Sequence, residues 1–143
     1  MTPINRILLV DDDAVTNLMH TRIIRKSGKA AHIDVATDGL QALELIKSDL
    51  AAARALPELV FLDINMPRMG GFEFLEEYAK LGLPVGEQLI IVMLSTSLLH
   101  ADHARAEADP HVHSFSDKPL RTEKLLEVIA EYQRLHGRGA DAA

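Results

Sequence analysis

The run Leu59-Val60-Phe61-Leu62 ends abruptly in Asp63, and the turn formers Pro67 and Gly70-Gly71 follow it. Four consecutive apolar residues bounded by turn signals read as a strand buried on both faces. Such a strand belongs to an α/β sheet with helices packed on each side, so this one run constrains the architecture of the whole chain. Asp63 then stands at a strand's carboxyl end, facing the crevice where open α/β sheets hold ligands and reacting groups.

The remaining segments supply the other layers. Ile4 to Val10 predicts a first buried strand that stops at Asp11-Asp12-Asp13. Val15, Leu18, Met19 and Ile23 recur at helical spacing, and Ser27-Gly28 provides the stop. Ala31 to Ala36 gives a second strand, less apolar and so nearer an edge. Thr37-Asp38-Gly39 opens a helix through Leu43, Ile46 and Leu50, which Ala51-Ala52-Ala53 extends by propensity. Pro57 separates that helix from the third strand, Glu58 to Asp63. The third helix starts after Gly70-Gly71, with Phe72, Leu75, Tyr78 and Ala79 on one side. Gln88 to Ser95 is the most apolar segment and reads as the fourth strand. Leu98 to Ala108 has helix formers but little apolar face, which predicts the least firmly docked helix. Val112 to Ser116 is a short fifth strand. Leu125, Val128, Ile129, Tyr132 and Leu135 mark an amphipathic final helix. The small, polar residues from Gly137 to Ala143 predict a disordered tail.

Five strands alternating with five helices indicate a doubly wound, five-stranded parallel sheet with right-handed crossovers. Composition does not fix the strand order. The order 2-1-3-4-5 would set the first and third strands side by side and bring Asp11, Asp12 and Asp63 into one crevice.

With 143 residues, 48% of them hydrophobic, the chain is expected to form one domain over residues 1–136, with no output domain after it. A net charge of −6 without any basic run argues against a nucleic-acid surface. The absence of cysteine excludes a disulfide framework, a thiolate zinc site and a cysteine nucleophile. Ile7 to Val10 runs straight into aspartates, unlike a signal peptide, and no stretch approaches the roughly 20 apolar residues of a membrane span. A soluble, cytoplasmic protein is expected.

Two acidic strand ends side by side raise each other's pKa or repel, so a positive charge should lie between them. A hard divalent cation with oxygen ligands answers that need, and magnesium favours one or two carboxylates together with waters and phosphate oxygens. The site therefore suggests phosphoryl chemistry, in which a carboxylate can be the nucleophile and give an aspartyl phosphate. Lys118, just past the fifth strand and followed by Pro119, can bring an ammonium to phosphoryl oxygens. Ser95, at the end of the fourth strand, offers a hydroxyl.

The set Val10-Asp11-Asp12, Phe61-Leu62-Asp63-Ile64-Asn65-Met66-Pro67 with Gly71, Met93-Leu94-Ser95, Phe115 and Lys118-Pro119 resembles the receiver domain of two-component response regulators, in the stand-alone, chemotaxis-type form. The resemblance runs from about residue 4 to residue 136 and implies the flavodoxin-like (βα)5 fold in the order 2-1-3-4-5. It implies that Asp63 is the phosphoacceptor and that Asp12 and Asp63 ligate Mg2+ through their side chains. Asn65 would add its backbone carbonyl, and Asp11 would help through water. Lys118 would pair with the phosphoryl group, and Ser95 would bond it and move inward, letting Phe115 rotate. The implied partners are a sensor histidine kinase or phosphotransfer protein and an output protein that binds helix four, strand five and helix five. Helix four with strand five could support a homodimer, though nothing in the sequence demands one. The chain would catalyse its own phosphorylation and dephosphorylation without being a metabolic enzyme.

Several features depart from that pattern or leave alternatives. Asp11-Asp12-Asp13 is ambiguous by one residue; Asp11 and Asp12 directly follow Val10, and Asp13 reads as a helix N-cap. Asp117 either occupies Lys118 or faces solvent. His111-Val112 stands where the family has a small pair, and Asn65 and Ser97 occupy the positions that tune phosphoryl lifetime. Phe115 is either plain core or a switch. Among the seven histidines, the spacings of His100 with His103 and of His111 with His113 would admit a surface zinc or nickel ion, but solvated side chains fit better. A phosphate sink or relay shuttle shares all these residues with a diffusible switch. A small aspartate-nucleophile phosphohydrolase is the rival of another class, and Asn65 replaces its usual second aspartate.

Overall fold

Among the described residues ten elements alternate: β1 (Ile4–Val10), α1 (Ala14–Ser27), β2 (Ala30–Ala36), α2 (Gly39–Ala51), β3 (Leu59–Leu62), α3 (Gly71–Ala79), β4 (Ile90–Ser95), α4 (His100–Ala108), β5 (Val112–Asp117) and α5 (Thr122–Ala142). This computed structural model describes residues 4–83, 89–96 and 99–142, with side chains described up to Leu135. Gln88, Ser97 and Leu98, expected in or beside the fourth strand and fourth helix, lie outside the described residues.

All strand pairs are parallel, in the order β2-β1-β3-β4-β5. This is the flavodoxin-like arrangement, with β2 at an edge as its weaker apolar content predicts. Alternation along the central strands splits the core into two layers, because successive side chains point to opposite faces. Leu8, Val10, Val60, Leu62, Ile91 and Met93 pack with α2 and α3 residues such as Leu43, Ile46, Phe74 and Leu75, and with Ala106 of α4. Ile7, Leu9, Leu59, Phe61, Val92 and Leu94 pack against Ile24 of α1 and Leu125, Val128 and Ile129 of α5.

Three local expectations are corrected. The α1 residues Val15, Leu18 and Met19 are 63%, 52% and 45% exposed, whereas Asn17, His20 and Ile24 are buried. Near the carboxyl end of the sheet the inner face of α1 meets backbone polar groups, which need hydrogen-bond partners more than they need apolar cover. The alanines after α2 do not extend it: the helix ends at Ala51, Ala53 adopts φ +55°, and the Arg54 N–H turns back to the Asp49 carbonyl at 2.8 Å. The final helix passes Gly137 and reaches Ala142, where a disordered tail was expected. Once a helix is nucleated by a docked face, each further residue adds a hydrogen bond. Composition alone reports only that these residues have little to pack.

The weak docking expected of α4 holds, since Ala106 is its one buried residue among those described. Its outer fastening is through Arg105, whose guanidinium lies 4.3 Å from the Phe72 ring centre and 3.0 Å from Glu76 Oε1.

Candidate functional site

The parallel register determines which strand ends meet. Val10 stands opposite Leu62, so Asp11 and Asp63 leave the sheet as neighbours, and the Asp63 N–H donates to the Val10 carbonyl at 3.0 Å. Ser95 stands opposite Asp117, and the Lys118 N–H donates to the Ser95 carbonyl at 3.1 Å. Lys118 therefore starts beyond β5, and its four-carbon stem crosses the end of β4 to reach the two acids. Its Nζ hydrogen-bonds Asp11 Oδ2 and lies 3.2 Å from Asp63 Oδ1.

Asp11 and Asp63 are buried and Asp12 is exposed. One carboxylate oxygen from each of the three lies within 4.8 Å of the others. Asp11 Oδ1 accepts the Asp13 N–H at 2.9 Å, and Asp63 Oδ1 accepts the Ile64 N–H at 2.9 Å. Both the Lys118 and Ile64 contacts fall on Oδ1 of Asp63, so that among the described residues Oδ2 is left for an incoming group.

Burial pushes the Asp63 carboxyl above its ordinary pKa, and the Asp11 charge adds to this while Lys118 opposes it. Burial alone would lower the Lys118 ammonium, but the hydrogen bond to Asp11 and the charges of Asp63 and Asp11 raise it instead. The ammonium thus neutralises a pair of carboxylates that would otherwise repel. An all-oxygen donor set with one exposed member suits a hard divalent cation with waters in its shell. Among the described residues this acidic cluster holds no histidine.

Asp13 is the helix N-cap that its place in the acidic triplet led us to expect. Its side chain accepts the Thr16 N–H at 3.0 Å and caps α1. The bond to Thr16 lowers its pKa. Asn65 is exposed, two residues past Asp63 in the loop to α3. Asp117 faces solvent while Lys118 engages Asp11 and Asp63. Ser95 is buried at the end of β4, one strand over from β3. Phe115 is half-buried, and the His103 ring of α4 lies 4.2 Å from it, centre to centre.

The loop after Asp63 is held from two sides. Gly71 packs so closely that a Cβ there would stand 2.2 Å from the Asp63 carbonyl oxygen, and its N–H donates to the Ile64 carbonyl at 2.8 Å. Arg68, at φ +61°, donates from Nε to Asp38 Oδ2 at 2.7 Å, and the Gly39 N–H donates to the Met69 carbonyl at 2.8 Å.

Two residues at this site escape a reading of strand ends. Asn17 donates from Nδ2 to the Asp11 carbonyl at 2.8 Å, and His20 accepts the Leu120 N–H on Nε2 at 3.1 Å. His20 is therefore buried and bonded, not solvated. Their signal in the sequence is a polar pair at i, i+3 in the helix that follows the acidic triplet.

Comparison with known proteins agrees with this geometry. The sequence profile of the response regulator receiver domain matches residues 7–130. The probable methanogenesis regulatory protein FilR2 of Methanothrix harundinacea is 31% identical over 128 residues, 87% of this chain and 79% of that protein. SphR, the alkaline phosphatase synthesis transcriptional regulatory protein of Synechococcus elongatus, is 30% identical, but this chain spans only 47% of its length. A two-component response regulator from Cytophaga hutchinsonii superposes with a TM-score of 0.85 at 32% identity, over 92% of this chain and 98% of that one. The CheX–CheY–BeF3–Mg2+ complex of Borrelia burgdorferi gives 0.72 at 26%, over 90% and 89%. Acidic strand ends, bridging lysine, fold and sequence profile all lead to one family: the chain belongs to the response regulator receiver domains of two-component systems.

Proposed function

We propose that this receiver is a magnesium-dependent aspartyl-phosphate switch that takes a phosphoryl group from a histidine kinase or phosphotransfer protein. The observation that carries the reading is Asp63 itself, a buried carboxylate with Oδ2 unengaged among the described residues, an ammonium 3.2 Å from Oδ1 and two further carboxylates within 4.8 Å. Asp63 Oδ2 attacks the phosphorus of a phosphohistidine. The P–N bond breaks, its electron pair stays on the imidazole, and an acyl phosphate forms on Asp63. Asp12 and Asp63 through their side chains, Asn65 through its carbonyl and Asp11 through water are the proposed holders of Mg2+. The ion supplies charge neutralisation for the phosphoryl oxygens. The related CheX–CheY–BeF3–Mg2+ complex from Borrelia burgdorferi supports that assignment.

Lys118 moves its proton-bearing head from Asp11 to a phosphoryl oxygen, a shift that the added charge of about −1.5 to −2 favours. Ser95 bonds the same group, and Phe115 follows inward. The lightly docked α4 makes a switch the better reading than a bare phosphate sink, because Ala106 is its one buried residue among those described. Exposed Val15, Leu18 and Met19 on α1, beside the acidic triplet, offer the phosphoryl donor an apolar docking face. The α4, β5 and α5 face, with Leu99 and Leu126 exposed, serves the output protein or a second copy of the chain. The protein works in the cytoplasm, by protein contacts and without nucleic acid. Turnover is confined to its own phosphorylation and dephosphorylation.

Intact mass after incubation with a small-molecule phosphodonor tests the reading. Wild type gains one phosphoryl group only when Mg2+ is present, and Asp63→Asn gains none. A gain in Asp63→Asn, or none in wild type with either a small donor or a kinase, refutes it.

A further inference from the structure

His20 is the most deeply buried histidine among the described residues, at 2% exposure, and the switch chemistry leaves it without a task. An apolar residue would fill this inner position of α1 without needing any partner. The imidazole instead accepts a backbone N–H from a segment 100 residues away, that of Leu120, which is itself 1% exposed and beyond the reach of water.

The place of that bond gives it meaning. Pro119 has no N–H, so the segment Lys118-Pro119-Leu120 owns two backbone donors. The first goes to the Ser95 carbonyl on β4 at 3.1 Å, and the second goes to His20 on α1 at 3.1 Å. Lys118 is therefore held between the sheet on one side and α1 on the other. One turn earlier, Asn17 bonds the Asp11 carbonyl at 2.8 Å. The inner face of α1 thus holds the Asp11 backbone directly and steadies Lys118 through the backbone of Leu120, two residues on. A lone pair on Nε2 requires a neutral ring; burial favours that state, with Asp11 drawing the imidazole the other way and Lys118 adding to the burial.

We propose that His20 is a positioning residue for Lys118: through the Leu120 N–H it sets where the β5–α5 turn holds the ammonium, and so how fast Asp63 accepts a phosphoryl group. The proposal rests on the aspartyl-phosphate reading and extends it to a helix that carries none of the reacting atoms.

Two substitutions separate positioning from packing. His20→Leu keeps bulk and burial but leaves the Leu120 N–H unpaired. His20→Gln places an amide oxygen four bonds from Cα, the same reach as Nε2, and restores the acceptor. The measurements are the phosphorylation rate constant at saturating phosphodonor, the Mg2+ concentration for half-maximal rate, protection of the Leu120 amide by NMR hydrogen exchange, and thermal melting. His20→Leu is expected to be about tenfold slower at saturation, the scale of one lost buried hydrogen bond. His20→Gln should stay within about twofold of wild type and keep the Leu120 amide protected. Neither should move the Mg2+ midpoint, since the proposed metal ligands are untouched.

A His20→Leu protein at the wild-type rate overturns the proposal. So does His20→Gln as slow as His20→Leu, which would make the effect one of shape, and so does a rate loss explained by a shifted Mg2+ midpoint. If His20→Leu does not fold, His20→Gln decides: a folded variant slowed tenfold or more overturns the proposal, and one near wild type with its amide protected supports it. A wild type that takes no phosphoryl group overturns the switch reading and this inference together. A phosphorylated wild type with an indifferent His20 overturns the inference alone.

Discussion

Replacing Gly71 by alanine should damage the protein through the phosphoacceptor's own backbone. The new Cβ would stand 2.2 Å from the Asp63 carbonyl oxygen and 3.1 Å from its carbon, while Met93 Cε, at 3.0 Å, is the end of a flexible chain that can swing away. The tightest ordinary carbon–oxygen contacts are about 3.3 Å, so the β3 end and the start of α3 must part by roughly 1 Å. Overpacking of this kind costs about 1–3 kcal/mol. The helix preference for alanine over glycine returns up to about 1 kcal/mol, less at a first-turn position. A net loss of about 1–2 kcal/mol lowers Tm by roughly 3–7 °C in a chain of this size. The functional effect should be larger, because a displacement of about 1 Å at a reacting group can cost about 100-fold in rate. Thermal melts, together with the rate of phosphoryl gain from a small phosphodonor at saturating Mg2+, measure both. An alanine variant that melts at or above the wild-type temperature and is phosphorylated at the wild-type rate would refute the claim that this contact holds the acceptor in place.

Four other outcomes are expected. Asp63 has a folded-state pKa raised by burial, so its contribution to stability is complete below the unfolded carboxyl pKa of about 4 and is lost as pH rises through the folded value. In EDTA, Asp63→Asn should therefore be more stable than wild type at neutral pH and lose that advantage towards pH 4; denaturation at several pH values checks it, and a constant difference contradicts it. Lys118→Ala leaves the buried Asp11 and Asp63 without their cation and should lose about 3 kcal/mol in EDTA, the low end for a broken buried pair. Added Mg2+ should raise its Tm more than that of wild type, and equal shifts in the two proteins would count against a shared site. The same variant should uncouple phosphorylation from partner binding at α4, β5 and α5, which a pull-down with and without phosphodonor reads.

The central layer of the molecule was open to inspection because it depends on short-range pattern. Leu59 to Leu62 ending in Asp63, Ile4 to Val10 ending in Asp11, and the apolar run up to Ser95 each carry a strand and its polar terminus in consecutive residues. Asp13 as the cap of α1 and Gly28, at φ +68°, as its stop are local in the same sense. Helical period in α1 was readable too, but its rotation was not. The apolar stripe of Val15, Leu18 and Met19 argued for an inner face, and the sheet instead takes in Asn17 and His20.

What the amino-acid sequence determined by itself was the succession of elements, the strand-end residues Asp11, Asp12, Asp63, Ser95 and Lys118, and the family they signify. Tertiary structure alone decided how those ends meet. The order β2-β1-β3-β4-β5 puts Asp11 beside Asp63, and parallel register carries Lys118 across β4 to both. It also decided which face of α1 turns inward and how closely Gly71 approaches the Asp63 carbonyl. The physical reason is range. Period and caps arise from residues within a turn or two of one another, whereas the rotation of a helix is set by what it must satisfy across the chain. Here that is the carbonyl of Asp11 and the N–H of Leu120, two buried backbone groups that no apolar side chain can pair.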